Sequence, residues 1–251
     1  MTPRDLTPIL TFAAVAATLP LFVSAGTTLN FAVFTLIICL GAQGWNILGG
    51  YGGQYSFGHA AFFGTAAYAT AILQMRYGVN PYLGFAIGVA LAGAVGFVIG
   101  VLSFRSGLRG SYFALVTLAF AEVFRVVANA TEITGGAAGI LIRLDVRPAN
   151  FQFEDRATFY WVALALVTAA LVITRALERA RLGAQLVAVR ENEAAARALG
   201  VDVLAVKLAA IALSAAITGA AGALYAQYFL YLDSTIAYGT WISVEALLAP
   251  I

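Results

Sequence analysis

Between Asp5 and Arg76 the chain carries no Asp, Glu, Lys or Arg. Three further runs, Tyr77 to Phe104, Ala157 to Thr174 and Leu208 to Leu232, are equally free of charge. A helix that crosses a hydrocarbon core of about 30 Å needs roughly 20 apolar residues, and each uncharged run is long enough to supply at least one. Charged residues make up 10% of the chain and hydrophobic ones 62%, whereas a water-soluble domain carries about a quarter charged residues to face its solvent. No soluble core could bury all these runs. The sequence therefore specifies an all-α, polytopic transmembrane bundle.

Apolar periodicity and loop signals place spans at 8–25, 28–48, 57–75, 81–104, 110–130, 157–174 and 207–231, with an eighth beginning near Ile242. That makes about seven or eight spans in a single transmembrane domain, 1–251. Basic residues collect in short cytoplasmic loops, which sets the orientation. Arg105 and Arg109 fall in one loop, and Arg175, Arg179, Arg181, Arg190, Arg197 and Lys207 in another two spans later. Placing both inside together with Arg4 leaves Arg76, Arg143, Arg147 and Arg156 outside and Arg125 within a span. The amino terminus is then cytoplasmic, 131–156 is a periplasmic loop, and 173–203 is a cytoplasmic segment. The first span ends in Val23-Ser24-Ala25, as a cleavable signal would, but it reads as an uncleaved anchor because the rest of the chain is itself membrane-embedded.

Small residues recur every fourth position at Gly84, Gly88, Ala92, Gly96 and Gly100, and again at Ser214, Thr218, Gly222 and Ala226. Such stripes let helix backbones approach closely where lipid offers no hydrophobic drive, so both helices are expected to face protein.

The segment Gly49-Gly50-Tyr51-Gly52-Gly53-Gln54-Tyr55-Ser56-Phe57-Gly58-His59 is uncharged yet cannot hold a helix, since each glycine costs about 1 kcal/mol relative to alanine. Irregular backbone at membrane depth must face protein or a watery cavity. Two readings follow. Glycine-interrupted apolar segments mark transporter binding sites, where helix termini offer N–H groups to a carboxylate; alternatively, the segment is a tight cytoplasmic turn. The first reading makes Gly52, Gly53, Gln54, Ser56, Gly58 and His59 the candidate substrate path. Glu122 and Arg125, three residues apart inside a span, share a helix face and read as a structural intramembrane pair. The stretch Arg175 to Asp202 is amphipathic, carries both charge signs, and is too long for an ordinary connection between helices. It offers a docking surface to a cytoplasmic partner. One histidine and one cysteine, Cys39, provide neither a metal cluster nor a disulfide. No GxxxxGK[ST] phosphate loop occurs, so any ATP that drives this chain is hydrolysed elsewhere.

Four segments carry a resemblance to a known family. GYGGQYSFGHAAFFGTAAYATAIL (50–73), LRGSYFALVTLAFAEVFRVVAN (108–129), TGGAAGI (134–140) and the stretch RLGAQLVAVRENEAAARALGVDVLAVKLAAIALSAAITGAAGALYA (181–226) resemble, in order, the signatures of LivM-type permeases of branched-chain amino-acid ABC importers. The resemblance implies a transport subunit of the inner membrane with no ATPase site of its own. It implies a second, LivH-type permease subunit, two cytoplasmic ATPase subunits that hold the ATP and Mg, and a periplasmic solute-binding protein. It does not fix the solute, because similar permeases serve other amino acids, urea and amides. Glu193-Ala194-Ala195 followed by Gly200 is similar to the EAA coupling loop, with its glycine one residue later than the common spacing. Arg190, Glu191, Glu193, Ala194, Ala195, Leu199 and Gly200 thereby become the candidate ATPase-coupling residues, with alanine and leucine packing expected to dominate the docking. Family members continue past VEALLAP into further helices, so the chain is expected to be truncated at its carboxyl end.

Other classes fit less well. An ion-coupled secondary transporter calls for carboxylates in several spans, and only Glu122 qualifies, with Glu245 as a second candidate. A membrane enzyme needs a nucleophile or metal cluster. A plain channel has no use for the long Arg175–Asp202 segment.

Overall fold

The computed structural model describes residues 3–23 and 25–248, the side chains of 3–5 excepted. Arg4, Ser24 and the final Ala249-Pro250-Ile251 therefore lie outside the described residues, or have side chains that do. In chain order the helices are α1 (Pro3–Ala17), α2 (Leu19–Phe22), α3 (Gly26–Trp45), α4 (His59–Tyr77), α5 (Pro81–Arg105), α6 (Gly110–Ala130), α7 (Arg156–Arg179), α8 (Arg181–Glu191), α9 (Glu193–Ala198), α10 (Val203–Phe229), α11 (Ser234–Ala237) and α12 (Thr240–Leu248). A two-stranded antiparallel ribbon pairs β1 (Ile140–Leu141) with β2 (Tyr231–Leu232), Ile140 opposite Leu232.

Five described segments are long and apolar enough to cross a bilayer: Gly26–Tyr51, Pro81–Arg105, Gly110–Ala130, Arg156–Arg179 and Val203–Phe229. The seven or eight spans expected from sequence also counted three pieces that do not meet that standard. The first, 8–25, is interrupted between α1 and α2. Pro20 has no N–H for the carbonyl four residues back, and Ala16 instead accepts from the Tyr160 hydroxyl at 2.9 Å, while Ala17 accepts from Trp161 Nε1 at 3.1 Å. The second, α4, is sheathed by α5, α6 and α10, so its residues need not all be lipid-compatible. The third, α12, is described only as far as Leu248.

Helix α10 is the axis of the bundle, packed against α3, α4 and α5. Both small-residue stripes are buried throughout, as their spacing implies. Gly222 shows why a side chain would not fit: a Cβ there would strike the Phe63 carbonyl. Helix starts are fixed by side-chain caps that satisfy first-turn N–H groups. Asn80 accepts from Tyr82 N at 2.9 Å, Asp155 from Ala157 N at 3.0 Å, and Asp202 from Ala205 N at 3.0 Å.

The loops sort to two ends. At one end Arg109 of the α5–α6 loop meets Glu193 of α9, and Arg190 of α8 meets Gly50. At the other, Arg76 donates to the Glu132 carbonyl at 2.5 Å and Tyr82 to the Pro148 carbonyl at 2.6 Å. There Leu230 turns through φ 58°, and its carbonyl accepts from Ile142 N at 2.7 Å, locking the 131–155 loop to the end of α10. Arg105, Arg109, Arg181, Arg190, Arg197 and Lys207 share the first end; Arg76, Arg143, Arg147 and Arg156 share the second. For these ten residues the grouping is the one inferred from charge; the side chain of Arg4 lies outside the described residues.

Candidate functional site

Helix α3 does not stop cleanly. It widens into a π-helical turn, Asn46–Tyr51, and the chain then runs back without regular structure until α4 begins at His59. Gly53 permits the reversal with φ 64°, a left-handed conformation that L side chains avoid. A Cβ at Gly53 would also lie 2.5 Å from Cγ of Arg190. Gly58 permits contact with α6, where a Cβ would sit 2.5 Å from the Thr117 carbonyl oxygen.

Four helices hold the break. Trp45 of α3 donates from Nε1 to the Ser56 carbonyl at 2.9 Å, and Phe57 N donates to Thr117 Oγ1 of α6 at 3.2 Å. Ala60 N donates to Ser243 Oγ of α12 at 3.0 Å, and His59 Nε2 lies 2.9 Å from Ser214 Oγ of α10. About 16 Å of helical rise separates Ser214 from the start of α10 at Val203, so the break penetrates well into the bundle before α4 starts. The far end of the break, at His59, therefore lies inside the bundle, while Gly50 and Gly53 lie against Arg190 of α8. The carboxylate-binding variant is limited, because the N–H groups of Gly58, Ala60 and Ala61 are taken by Ser56 Oγ, Ser243 Oγ and the Gly58 carbonyl.

Beside the break lies a cleft of about 600 Å³, lined by Tyr55, Ser56 and Phe57, by Ser111 and Leu115 of α6, and by Leu247 of α12. Of the candidate path residues, Ser56 borders this cleft. Gly52 and Gly53 instead pack against Leu186 and Arg190 of α8. Gln54 is buried with its amide on the Gly52 carbonyl, and His59 is wholly buried. Glu122 and Arg125 form a two-pronged ion pair at 2.9 and 2.5 Å, both partly exposed on the flank of α6. Among the described residues no group of three His, Cys, Asp or Glu side chains could hold a metal ion.

The segment 173–203 folds as the end of α7 followed by α8 and α9. Arg190 donates from Nη1 to the Gly50 carbonyl at 2.8 Å and pairs with Glu191 at 2.8 Å. Asn192 caps α9, accepting from Ala194 N and Ala195 N at 3.0 Å. Gly200 ends the turn with φ 82°, the left-handed conformation of a helix-terminating glycine. Ala194, Ala195 and Leu199 are exposed, Leu199 to 85%. Glu193 turns inward instead. It pairs with Arg109 at 3.1 Å and with Lys207, which is buried and lies 5.4 Å from the Phe104 ring centre. Spacing alone does not reveal this three-way junction, although Lys207, the sole lysine, in the first turns of an apolar helix was a signal that it must have a partner.

A sequence family described as branched-chain amino acid transport system / permease component matches residues 27–251. The chain belongs to this family. It is 36% identical to the high-affinity branched-chain amino acid transport system permease protein LivM of Escherichia coli K12, over 82% of this chain and 54% of that protein. It is 34% identical to the LivM protein of Salmonella typhimurium over 84% and 55% of the two chains. It is 26% identical to a probable LivM permease of Methanocaldococcus jannaschii over 71% and 51%. This permease-family chain thus spans about half the length of the curated relatives it matches. No solved structure matches it. Family membership and the five apolar helices together make it a multi-pass membrane protein.

Proposed function

We propose that the chain is the membrane-spanning permease subunit of an ATP-binding-cassette importer. Its cargo is a branched-chain amino acid or a related small polar solute such as another amino acid, urea or an amide. The observation that carries the reading is the glycine-rich break, set deep among α3, α6, α10 and α12 and joined through Arg190 to the exposed helices α8 and α9. A transporter needs irregular backbone at depth beside a polar route, and an externally powered one needs a surface through which force enters. The break supplies the first and α8–α9 the second. ATP and Mg belong to two partner ATPases that dock on Ala194, Ala195 and Leu199. A LivH-type subunit and a periplasmic binding protein complete the assembly in the inner membrane. The amino terminus and α8–α9 face the cytoplasm, and 131–156 faces the periplasm.

Uptake of labelled leucine in cells with and without this chain tests the reading, alongside purification of the tagged chain from detergent extracts. Leucine uptake should require the chain, and an ATPase subunit should co-purify with it. Uptake that persists after ATP depletion and collapses with the proton gradient would instead make it an ion-coupled secondary transporter.

A further inference from the structure

Helix α6 presents three different faces. One, with Phe113, Thr117, Ala121 and Ala128, is buried against the bundle. A second borders an exclusively apolar groove shared with α5, where Phe120, Val123 and Phe124 meet Leu91, Val95 and Val98. On the outward side beside that groove, Val123, Val126 and Val127 are each more than half exposed. The third lies on the side away from that groove. At 3.6 residues per turn, Ser111, Leu115, Leu118, Glu122, Arg125 and Asn129 fall in one line along the helix. All of them are exposed or partly exposed.

The valine face suits lipid and the third face does not. By helical rise Glu122 lies about 12 Å and Arg125 about 8 Å short of the end of α6 at Ala130, within the depth of a hydrocarbon core of about 30 Å. Charged side chains at that depth face the interior of a bundle or a watery cavity. Pairing does not remove this demand, since two charges taken from water lose more solvation than a single contact returns unless their remaining valences are also met. The lower end of the same line borders an open cleft whose walls are chiefly apolar, with the hydroxyls of Ser56 and Ser111 set among them. Ser111 and Leu115 line the cleft against Tyr55, Ser56 and Phe57 of the glycine-rich break.

We propose that the line Ser111–Leu115–Leu118–Glu122–Arg125–Asn129 is the wall of the translocation route, and that Glu122 and Arg125 read the zwitterionic head of the passing amino acid. The inference rests on the permease reading above. Arg125 offers planar N–H donors to the α-carboxylate and Glu122 accepts from the α-ammonium, so the resting ion pair exchanges its internal contacts for matching ones to the solute. The apolar Leu115 and Leu118 just below suit a branched side chain. A solute with the same side chain but no ammonium group satisfies only half of the pair.

Cysteine substitution in the intact importer tests the route, with Cys39 first replaced by alanine. A small, charged, membrane-impermeant thiol reagent should modify Leu118→Cys and block leucine uptake at least tenfold, with excess leucine slowing the modification. Val123→Cys should remain unmodified. An unreactive Leu118→Cys in an importer that still transports leucine would put this face inside a dry contact with another subunit and overturn the proposal. The reagent pattern is read whatever solute the importer carries, so a wrong solute assignment does not mimic a wrong route. The double variant Glu122→Gln/Arg125→Gln leaves no lone charge behind. Properly inserted, it should move leucine at least tenfold more slowly while keeping its ATPase subunit. A wild-type rate would reduce the pair to scaffolding, and should the variant fail to insert, the thiol pattern decides the question.

Discussion

Arg190 of α8 and Gly50 of the glycine-rich break are joined by a hydrogen bond of 2.8 Å from Nη1 to the carbonyl. The contact links the exposed helix α8 with the near end of the glycine-rich break, whose far end at His59 reaches Ser214 of α10. Arg190 also lies over Gly53, where a Cβ would touch its side chain. The planar guanidinium of Arg190 thus ties α8 to the break, and under the reading proposed above it is the element through which a push on α8 would pass.

Arg190→Gln should separate coupling from folding. The residue is substantially exposed and its ion pair with Glu191 lies at the surface, so stability should change by no more than about 1 kcal/mol. Transport per ATP hydrolysed should fall at least about fivefold, the scale of a coupling free energy near 1 kcal/mol. Parallel assays of ATPase activity and solute uptake in reconstituted vesicles read the ratio. An unchanged ratio would remove the Gly50 contact from the transmission path.

The junction of Glu193 with Arg109 and Lys207 makes an opposite forecast. Removing the carboxylate in Glu193→Ala leaves Lys207 buried and uncompensated, a loss of about 3–5 kcal/mol when a buried pair is broken from one side. The thermal midpoint in detergent should drop sharply. Combining Glu193→Leu with Lys207→Met removes both charges and should recover most of the stability. Comparable melting of the single and double variants would show the junction to be energetically idle.

Much of the architecture could be read from the chain. The uncharged runs, the small-residue stripes and the unequal division of basic residues each reflect a constraint the bilayer imposes on sequence directly. The break before His59 was legible for the same reason, since five glycines in an uncharged run serve no lipid-facing helix. What could not be read depends on which side chains meet. Thr117 and Ser243 carry no signal in the sequence and Ser214 was legible only as one of a packing stripe, yet the three hold the break through single hydroxyls. The split of the first span turned on where the Ala16 and Ala17 carbonyls find donors, and those come from α7. Glu193 stood out in the sequence only as part of the EAA-like loop; its inward pairing was not legible because its partners lie in α10 and in the α5–α6 loop.

Gly58→Val and Gly78→Val contrast two kinds of glycine. At Gly58 the new side chain runs into the Thr117 carbonyl, and such overpacking costs about 1–3 kcal/mol as the break is pushed off α6. Uptake should be abolished while membrane insertion continues. Gly78 has φ 62° at the end of α4 but open space around it, so only the conformational cost applies, of order 1–2 kcal/mol, and uptake should persist. Equal uptake in the two variants would mean that contact between the break and α6 is dispensable.

Orientation is testable at two exposed alanines on opposite ends of the bundle. In a chain with Cys39→Ala, an impermeant thiol reagent applied to the periplasmic side should label Ala149→Cys in the 131–156 loop. Ala184→Cys on α8 should react only after the inner membrane is opened. The reverse pattern would turn the whole bundle over and carry the docking surface away from any cytoplasmic ATPase.

Ala195→Arg addresses the docking surface itself. Ala194, Ala195 and Leu199 are exposed on α9 and the turn after it, while Ala196 faces inward and anchors the helix. A leucine left 85% exposed beside two alanines gains by burial, on the order of 1.5–3 kcal/mol for a large apolar side chain fully covered, whereas each exposed ion pair adds only about 0–1 kcal/mol. The partner's cleft should therefore be shaped for small apolar side chains. Arginine at 195 leaves the Asn192 cap and the Glu193 junction untouched, because the cap uses backbone N–H groups and the junction lies on the opposite side of the helix. The variant should fold with a wild-type thermal midpoint, yet release the ATPase on purification or hydrolyse ATP without moving solute. Retained ATPase together with normal uptake would place the contact elsewhere on α8 and α9.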